Sequence, residues 1–68
     1  MEEKKTMQEI WKKLLNLSDL PGVNESFFDL GGNSFIANEA SLIFQEKTGK
    51  KIEITDFFEN DTIDTLLG

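Results

Sequence analysis

Apolar residues at Met7, Ile10, Trp11, Leu14 and Leu15 recur at three- and four-residue spacing with Lys and Glu between them, which predicts an amphipathic first helix. Thr6 and Glu9 have capping-box spacing, although the charged stretch Glu2 to Lys5 can carry the helix another turn upstream. Between Asn16 and Asn33 no period is sustained, and Pro21-Gly22 marks a turn. That stretch holds Leu17, Leu20, Val23, Phe27, Phe28 and Leu30, too apolar for disorder, so a long loop packed onto the helices is expected. A second helix is predicted from about Ser34 to Thr48, ending at Gly49, with Lys47 near its negative pole. At roughly 100° per residue, Ile36, Ala37, Ala40, Ile43 and Phe44 fall on one core-facing stripe. Phe35 and Leu42 form a separate apolar strip beside Ser34, which either packs under the loop or stands exposed as a recognition surface.

Ile52-Glu53-Ile54 alternates like a short extended segment, and Thr55-Asp56-Phe57-Phe58-Glu59 reads as a helical turn capped by Thr55. A final short helix begins near Asp61 or Thr62 and carries Ile63, Leu66 and Leu67 at helical spacing. The expected fold class is all-α: a small bundle of three main helices plus one short helix, with a long loop between helices one and two. No internal repeat or second domain is visible, so residues 1–68 are read as one domain.

A chain of 68 residues without cysteine must draw its core from its aliphatic side chains, six Phe and Trp11. Trp11, Phe27, Phe28, Phe44, Phe57 and Phe58 are accordingly assigned to the core or to loop contacts, none to chemistry. The formal charge of −6 repels nucleic-acid phosphates and anionic lipid, and favours positively charged protein surfaces as partners, though an acidic surface also serves solubility alone. No apolar run approaches the roughly 20 residues needed to span a bilayer, and Met1-Glu2-Glu3-Lys4-Lys5 adjoins no hydrophobic signal segment. A cytoplasmic protein, monomeric as an isolated domain, is expected.

The candidate chemistry lies in Phe27-Phe28-Asp29-Leu30-Gly31-Gly32-Asn33-Ser34-Phe35. Gly31 and Gly32 permit a sharp approach, and the unpaired amides that open a helix favour a negative oxygen group, so Ser34 reads as an attachment point for a phosphate. A plainer role for Ser34 is a helix N-cap, and the two roles are compatible. The chain has no His and no Cys, and a solvated carboxylate such as Asp29 or Glu39 is too weak a base to activate a hydroxyl. Ser34 is therefore a substrate for another enzyme, and no catalytic residue is assigned. Asp56, Glu59, Asp61 and Asp64 miss the spacing of a calcium loop and are read as a solvated acidic edge, with no metal site. Asn24-Glu25-Ser26 and Asn60-Asp61-Thr62 match the glycosylation acceptor pattern by coincidence, and no Gly-Lys-Ser/Thr nucleotide loop is present.

Taken in order, Ile10-Trp11-x-x-Leu14-Leu15, Phe27-Phe28-Asp29-Leu30-Gly31-Gly32-Asn33-Ser34 and Phe57-Phe58-Glu59-Asn60-Asp61-Thr62-Ile63 resemble the carrier-protein family, and within it the peptidyl (thiolation) carriers of nonribosomal peptide synthetases. The resemblance covers nearly the whole chain. It implies that Ser34 receives 4′-phosphopantetheine from coenzyme A through a magnesium-dependent phosphopantetheinyl transferase, with Gly32 and Asn33 forming the flanking turn. It implies that the arm carries aminoacyl or peptidyl thioesters to adenylation, condensation and thioesterase domains, and it tips Phe35, with Leu42, towards partner contact. Asn33 stands where relatives often have Asp or His, and the last helix is abbreviated, as in an excised domain or a compact free-standing one. A polyketide-type acyl carrier and a degenerate helical docking module that binds without covalent loading remain the alternatives.

Overall fold

The computed structural model describes residues 2–68, so Met1, part of the charged start, lies outside the described residues. Among the described residues four helices follow one another: α1 (Glu2–Leu14), α2 (Ser34–Thr48), α3 (Ile54–Glu59) and α4 (Ile63–Leu67). The fold is all-helical, as the sequence pattern predicts. α1 and α2 are long, whereas α3 and α4 make one or two turns each.

α1 begins at Glu2, which places Thr6 and Glu9 inside the helix rather than at its start. Its end is closed by Asn16 at φ 57°, with the Leu17 N–H donating to the Lys12 carbonyl (2.9 Å) and the Asn16 N–H to Lys13 (3.4 Å). These are the paired bonds of a Schellman motif, and asparagine is the non-glycine residue that best tolerates this backbone. Lys12 and Lys13 occupy the last turn, where their charge suits the helix dipole.

α2 ends as expected, with Gly49 at φ 82° and its N–H on the Gln45 carbonyl (2.8 Å). Lys50, just beyond that end, pairs with Glu3 at the start of α1 (3.0 Å), so the two long helices run antiparallel. α3 begins at Ile54, not at a Thr55 cap: Asp56 Oδ2 accepts the Glu53 N–H at 3.0 Å, which moves the cap upstream and shortens the extended segment. α4 is capped by Thr62, whose Oγ1 accepts the Thr65 N–H (3.2 Å).

The core gathers where α1 meets α2 and α4, and α3 packs on α2. The Trp11 and Phe27 rings meet at a tilt with centroids 4.8 Å apart, as do Phe27 and Phe57 at 5.0 Å, with Met7, Ile10, Ala37, Ala40, Phe44, Ile52 and Ile63 buried around them. Burying each large side chain contributes about 1.5–3 kcal/mol. Ser41 is also buried and donates its hydroxyl to the Ile52 carbonyl, fixing the link between α2 and α3. Phe58, assigned above to the core or to loop contacts, is 58% exposed, its ring stacked on the loop residue Phe28 at 5.1 Å. Phe57 holds the inner position, and Phe58, about 100° further round the helix, turns outward. Among the described residues, no helix is long and apolar enough to cross a membrane.

Candidate functional site

The loop between α1 and α2 is built rather than loose. Pro21 is buried, with its carbonyl accepting from Gln8 Nε2 at 2.6 Å, and Gly22 and Glu25 bond one another across a turn. From Ser26 the chain makes a single helical turn: the Leu30 N–H reaches the Ser26 carbonyl (3.0 Å), Gly31 reaches Phe28 (3.2 Å) and Gly32 reaches Phe27 (3.0 Å). Gly31 has φ 104°, and the last two bonds repeat the closure seen at the end of α1.

The two glycines serve different needs. Gly31 supplies the left-handed backbone and has open space around it. Gly32 supplies room: a Cβ there would lie under 3.0 Å from three atoms of the buried Phe27 ring. That ring is wedged between Trp11 and Phe57 and cannot yield cheaply. Gly32→Ala is therefore expected to cost about 1–3 kcal/mol by overpacking, and Gly31→Ala about 1–2 kcal/mol by backbone strain. Urea unfolding followed by Trp11 fluorescence measures both, and an unchanged midpoint for Gly32→Ala refutes the wedge.

Asn33 is extended (φ −148°, ψ 179°) and is the N-cap of α2: its Oδ1 accepts the Ile36 N–H (2.9 Å) and its carbonyl the Ala37 N–H (2.8 Å). The cap role considered for Ser34 thus belongs to Asn33, because the extended residue is the one whose side chain can fold back onto the first turn. Ser34 is the first helical residue, exposed, and among the described residues its Oγ makes no hydrogen bond. The Ser34 and Phe35 amides open the helix with no carbonyl behind them. No acidic residue sits in that first turn. A phosphodiester on Ser34 Oγ fits these surroundings: a free hydroxyl, unpaired amides, no carboxylate in the first turn of the helix and glycines at 31 and 32 in the approach.

Phe35 is 82% exposed and Leu42 is 57% exposed, which settles their open placement in favour of a surface strip. Exposed Glu39 and Glu46 lie on the same face of α2. Among the described residues, no group of His, Cys, Asp or Glu is arranged to hold a metal ion.

The acidic edge read from the sequence is largely engaged. Asp56 caps α3, Asp61 accepts from Ser26, and Asp64 pairs with Lys4 at 2.7 Å, leaving Glu59 exposed. Ser26 and Asp61 had no local signal as a pair because 35 positions separate them.

Residues 5–68 match the family described as "Phosphopantetheine attachment site". The chain is similar to nonribosomal peptide synthetase dtxS1 of Metarhizium robertsii, 39% identical over 61 residues that take in 88% of this chain and 1% of that protein. It is 38% identical over 64 residues to a plipastatin synthase polypeptide of Bacillus subtilis, covering 94% of this chain and 2% of that protein. It is also 38% identical over 55 residues to hybrid PKS-NRPS synthetase TAS1 of Gloeophyllum trabeum, with 79% and 4% covered. The chain spans only a few per cent of the length of these relatives. With 64 of its 68 residues inside the match, the chain belongs to the phosphopantetheine attachment-site family, whose members carry a covalently attached 4′-phosphopantetheine and are generally non-catalytic.

Proposed function

We propose that residues 1–68 act as one carrier unit, that Ser34 is its attachment residue, and that it carries aminoacyl or peptidyl thioesters in nonribosomal peptide or hybrid peptide-polyketide assembly. The observation that carries this reading is the exposed Ser34 Oγ, free of hydrogen bonds, at the first position of α2 in a member of the attachment-site family. The similarity to segments of peptide synthetases and of a hybrid synthetase supports the cargo class.

In this reading Ser34 Oγ forms a bond to the phosphorus that bears the pantetheine in coenzyme A. The pyrophosphate P–O bond breaks and adenosine 3′,5′-bisphosphate leaves. A chain with no His cannot take the Ser34 proton locally, so a base on the magnesium-dependent phosphopantetheinyl transferase removes it. Asn33 holds the helix start in place, and the free Ser34 and Phe35 amides would favour the added negative charge by about 0.3–1 kcal/mol. The bound group supplies the thiol that a cysteine-free chain lacks, and with it the thioester link to cargo.

Gly32 and Asn33 form the flanking turn, and Phe35 and Leu42 are the contact strip for the transferase and for adenylation, condensation and thioesterase domains. Glu39 and Glu46 beside the strip favour positively charged partner rims. Phe35→Ala is expected to weaken transferase binding about tenfold, within the range of an exposed aromatic anchor, while changing stability by less than about 0.5 kcal/mol. Equal loss in a thermal melt would count against that role. A cytoplasmic location follows from the supply of coenzyme A and of partner domains.

The test is intact-mass measurement after incubation with coenzyme A, magnesium and a broad-specificity transferase. One added phosphopantetheine, located to the peptide containing Ser34, is expected. A chain left bare beside a fully loaded control carrier refutes the reading and favours a non-covalent docking module. Loading with amino-acid against acyl donors then separates peptide from polyketide cargo.

A further inference from the structure

The turn that leads to Ser34 is held from the far end of the chain. Ser26 Oγ donates to Asp61 Oδ2 at 2.7 Å, and the next residue's amide, Phe27 N–H, donates to the Asp61 carbonyl, also at 2.7 Å. Ser26 in turn accepts the Asp29 N–H on its hydroxyl (3.4 Å) and the Leu30 N–H on its carbonyl (3.0 Å), so it anchors the first residues of the helical turn that Gly31 closes. Phe27, fixed by the same Asp61, lays its ring where a Cβ of Gly32 would be. Asp61 is thus linked through Ser26 and Phe27 to the residues immediately before Asn33 and Ser34.

Asp61 is half-buried, and among the described residues no Lys lies within ion-pair distance of it. Its carboxylate is directed to one hydroxyl instead, and a hydrogen bond to an ionised acceptor is roughly twice as strong as a neutral one. We propose that Asp61, acting through Ser26, is a positioning residue for modification of Ser34: it holds the approach turn in the arrangement in which a transferase reaches the Ser34 hydroxyl. The proposal rests on the reading of Ser34 as the attachment residue. The backbone bond from Phe27 N–H to the Asp61 carbonyl survives any side-chain change at residue 61, so loss of the carboxylate loosens the turn without releasing it.

A turn that is only fractionally in its competent arrangement lowers apparent affinity by that fraction, so the effect falls on KM and leaves kcat nearly unchanged. The experiment measures phosphopantetheinylation kinetics for the wild type, Asp61→Ala, Ser26→Ala, their double variant, Asp61→Asn and a control, Asp64→Ala. Trp11 fluorescence confirms that each is folded at the assay temperature. Asp61→Ala and Ser26→Ala are each expected to raise KM about five- to tenfold, the scale of one side-chain hydrogen bond. The double variant should equal Ser26→Ala, which removes the shared contact together with the long Asp29 N–H bond, because no contact is left for the second change to remove. Asp61→Asn, which keeps an acceptor oxygen, should return KM to within about twofold of wild type. Asp64→Ala removes an equal charge and an exposed ion pair from the adjoining helix and should leave the kinetics unchanged. Amide exchange should speed up at Leu30, Gly31 and Gly32, whose N–H groups close the turn, in Asp61→Ala but not in the middle of α1.

Wild-type KM in Asp61→Ala, an equal defect in Asp64→Ala, or multiplying effects in the double variant would overturn the positioning role while leaving the attachment reading intact. A wild-type chain that takes no phosphopantetheine overturns the attachment reading, and this proposal with it.

Discussion

Ser34→Ala is expected to take up no phosphopantetheine under conditions that load the wild type fully, while its unfolding free energy changes by less than about 0.5 kcal/mol. The two halves of this result come from one structural fact. Ser34 is the first residue of α2 but not its cap: the side-chain bond that stabilises the helix start runs from the Ile36 amide to Asn33. Removing an exposed hydroxyl that makes no hydrogen bond costs little, and alanine is a good helix residue. Asn33→Ala should show the opposite split, losing about 1 kcal/mol from the missing cap while still presenting a hydroxyl to the transferase. The other serines cannot substitute. Ser41 is buried against the Ile52 carbonyl, Ser26 is bonded to Asp61, and Ser18 stands outside the turn that Gly31 closes. Intact mass and a thermal melt of the two variants check the prediction; a mass shift in Ser34→Ala would move the attachment to another residue.

This separation of cap from attachment point marks where local pattern stops being informative. The course of α2 was legible almost to the residue, because Gly49 can take φ 82° and the apolar stripe of Ala37, Ala40 and Phe44 ends there. Which of Asn33 and Ser34 caps it was not, since both residue types cap well and only the backbone decides which is extended. At α1 the charged Glu2–Lys5 stretch has good helix propensity and carries the helix past the Thr6–Glu9 spacing. At α3 the cap lies at Glu53, because Asp56 reaches back to its amide ahead of any bond to Thr55.

Long-range contacts were the least legible. Phe35 and Leu42 fell off the main stripe on the helical wheel, which left open whether they pack under the loop or face solvent, and only the folded chain shows them exposed. Phe58 beside Phe57 had no such discriminator, and only the stack on Phe28 explains it. The acidic residues of the last third read as a solvated edge because their spacing misses a calcium loop, yet Asp56, Asp61 and Asp64 each hold a specific partner. The resemblance to carrier proteins, carried by motifs in order along the chain, agrees with the family match over residues 5–68.

Phe27→Ala is expected to be the most damaging single truncation, lowering stability by about 3–5 kcal/mol. Phe27 is fully buried and meets Trp11 at 4.8 Å, Phe57 at 5.0 Å and Phe28 at 5.4 Å, so its removal opens a cavity that elements from three parts of the chain would have to collapse into. A domain of this length has a total stability of roughly 3–10 kcal/mol, so the variant should melt at least about 15 °C lower or be largely unfolded, with red-shifted Trp11 emission. Phe58→Ala, at an exposed position on α3, should cost less than about 1 kcal/mol. A gentler change tests the connection between this core and the attachment turn. Phe27→Leu keeps an apolar side chain but withdraws the ring atoms that crowd a Cβ at Gly32. Gly32→Ala, costly in the wild type, should therefore cost much less in the Phe27→Leu background, a coupling of about 1 kcal/mol or more in a double-mutant cycle. Strict additivity would mean that the Phe27 ring does not dictate glycine at position 32, and that the turn before Ser34 is shaped by backbone bonds alone.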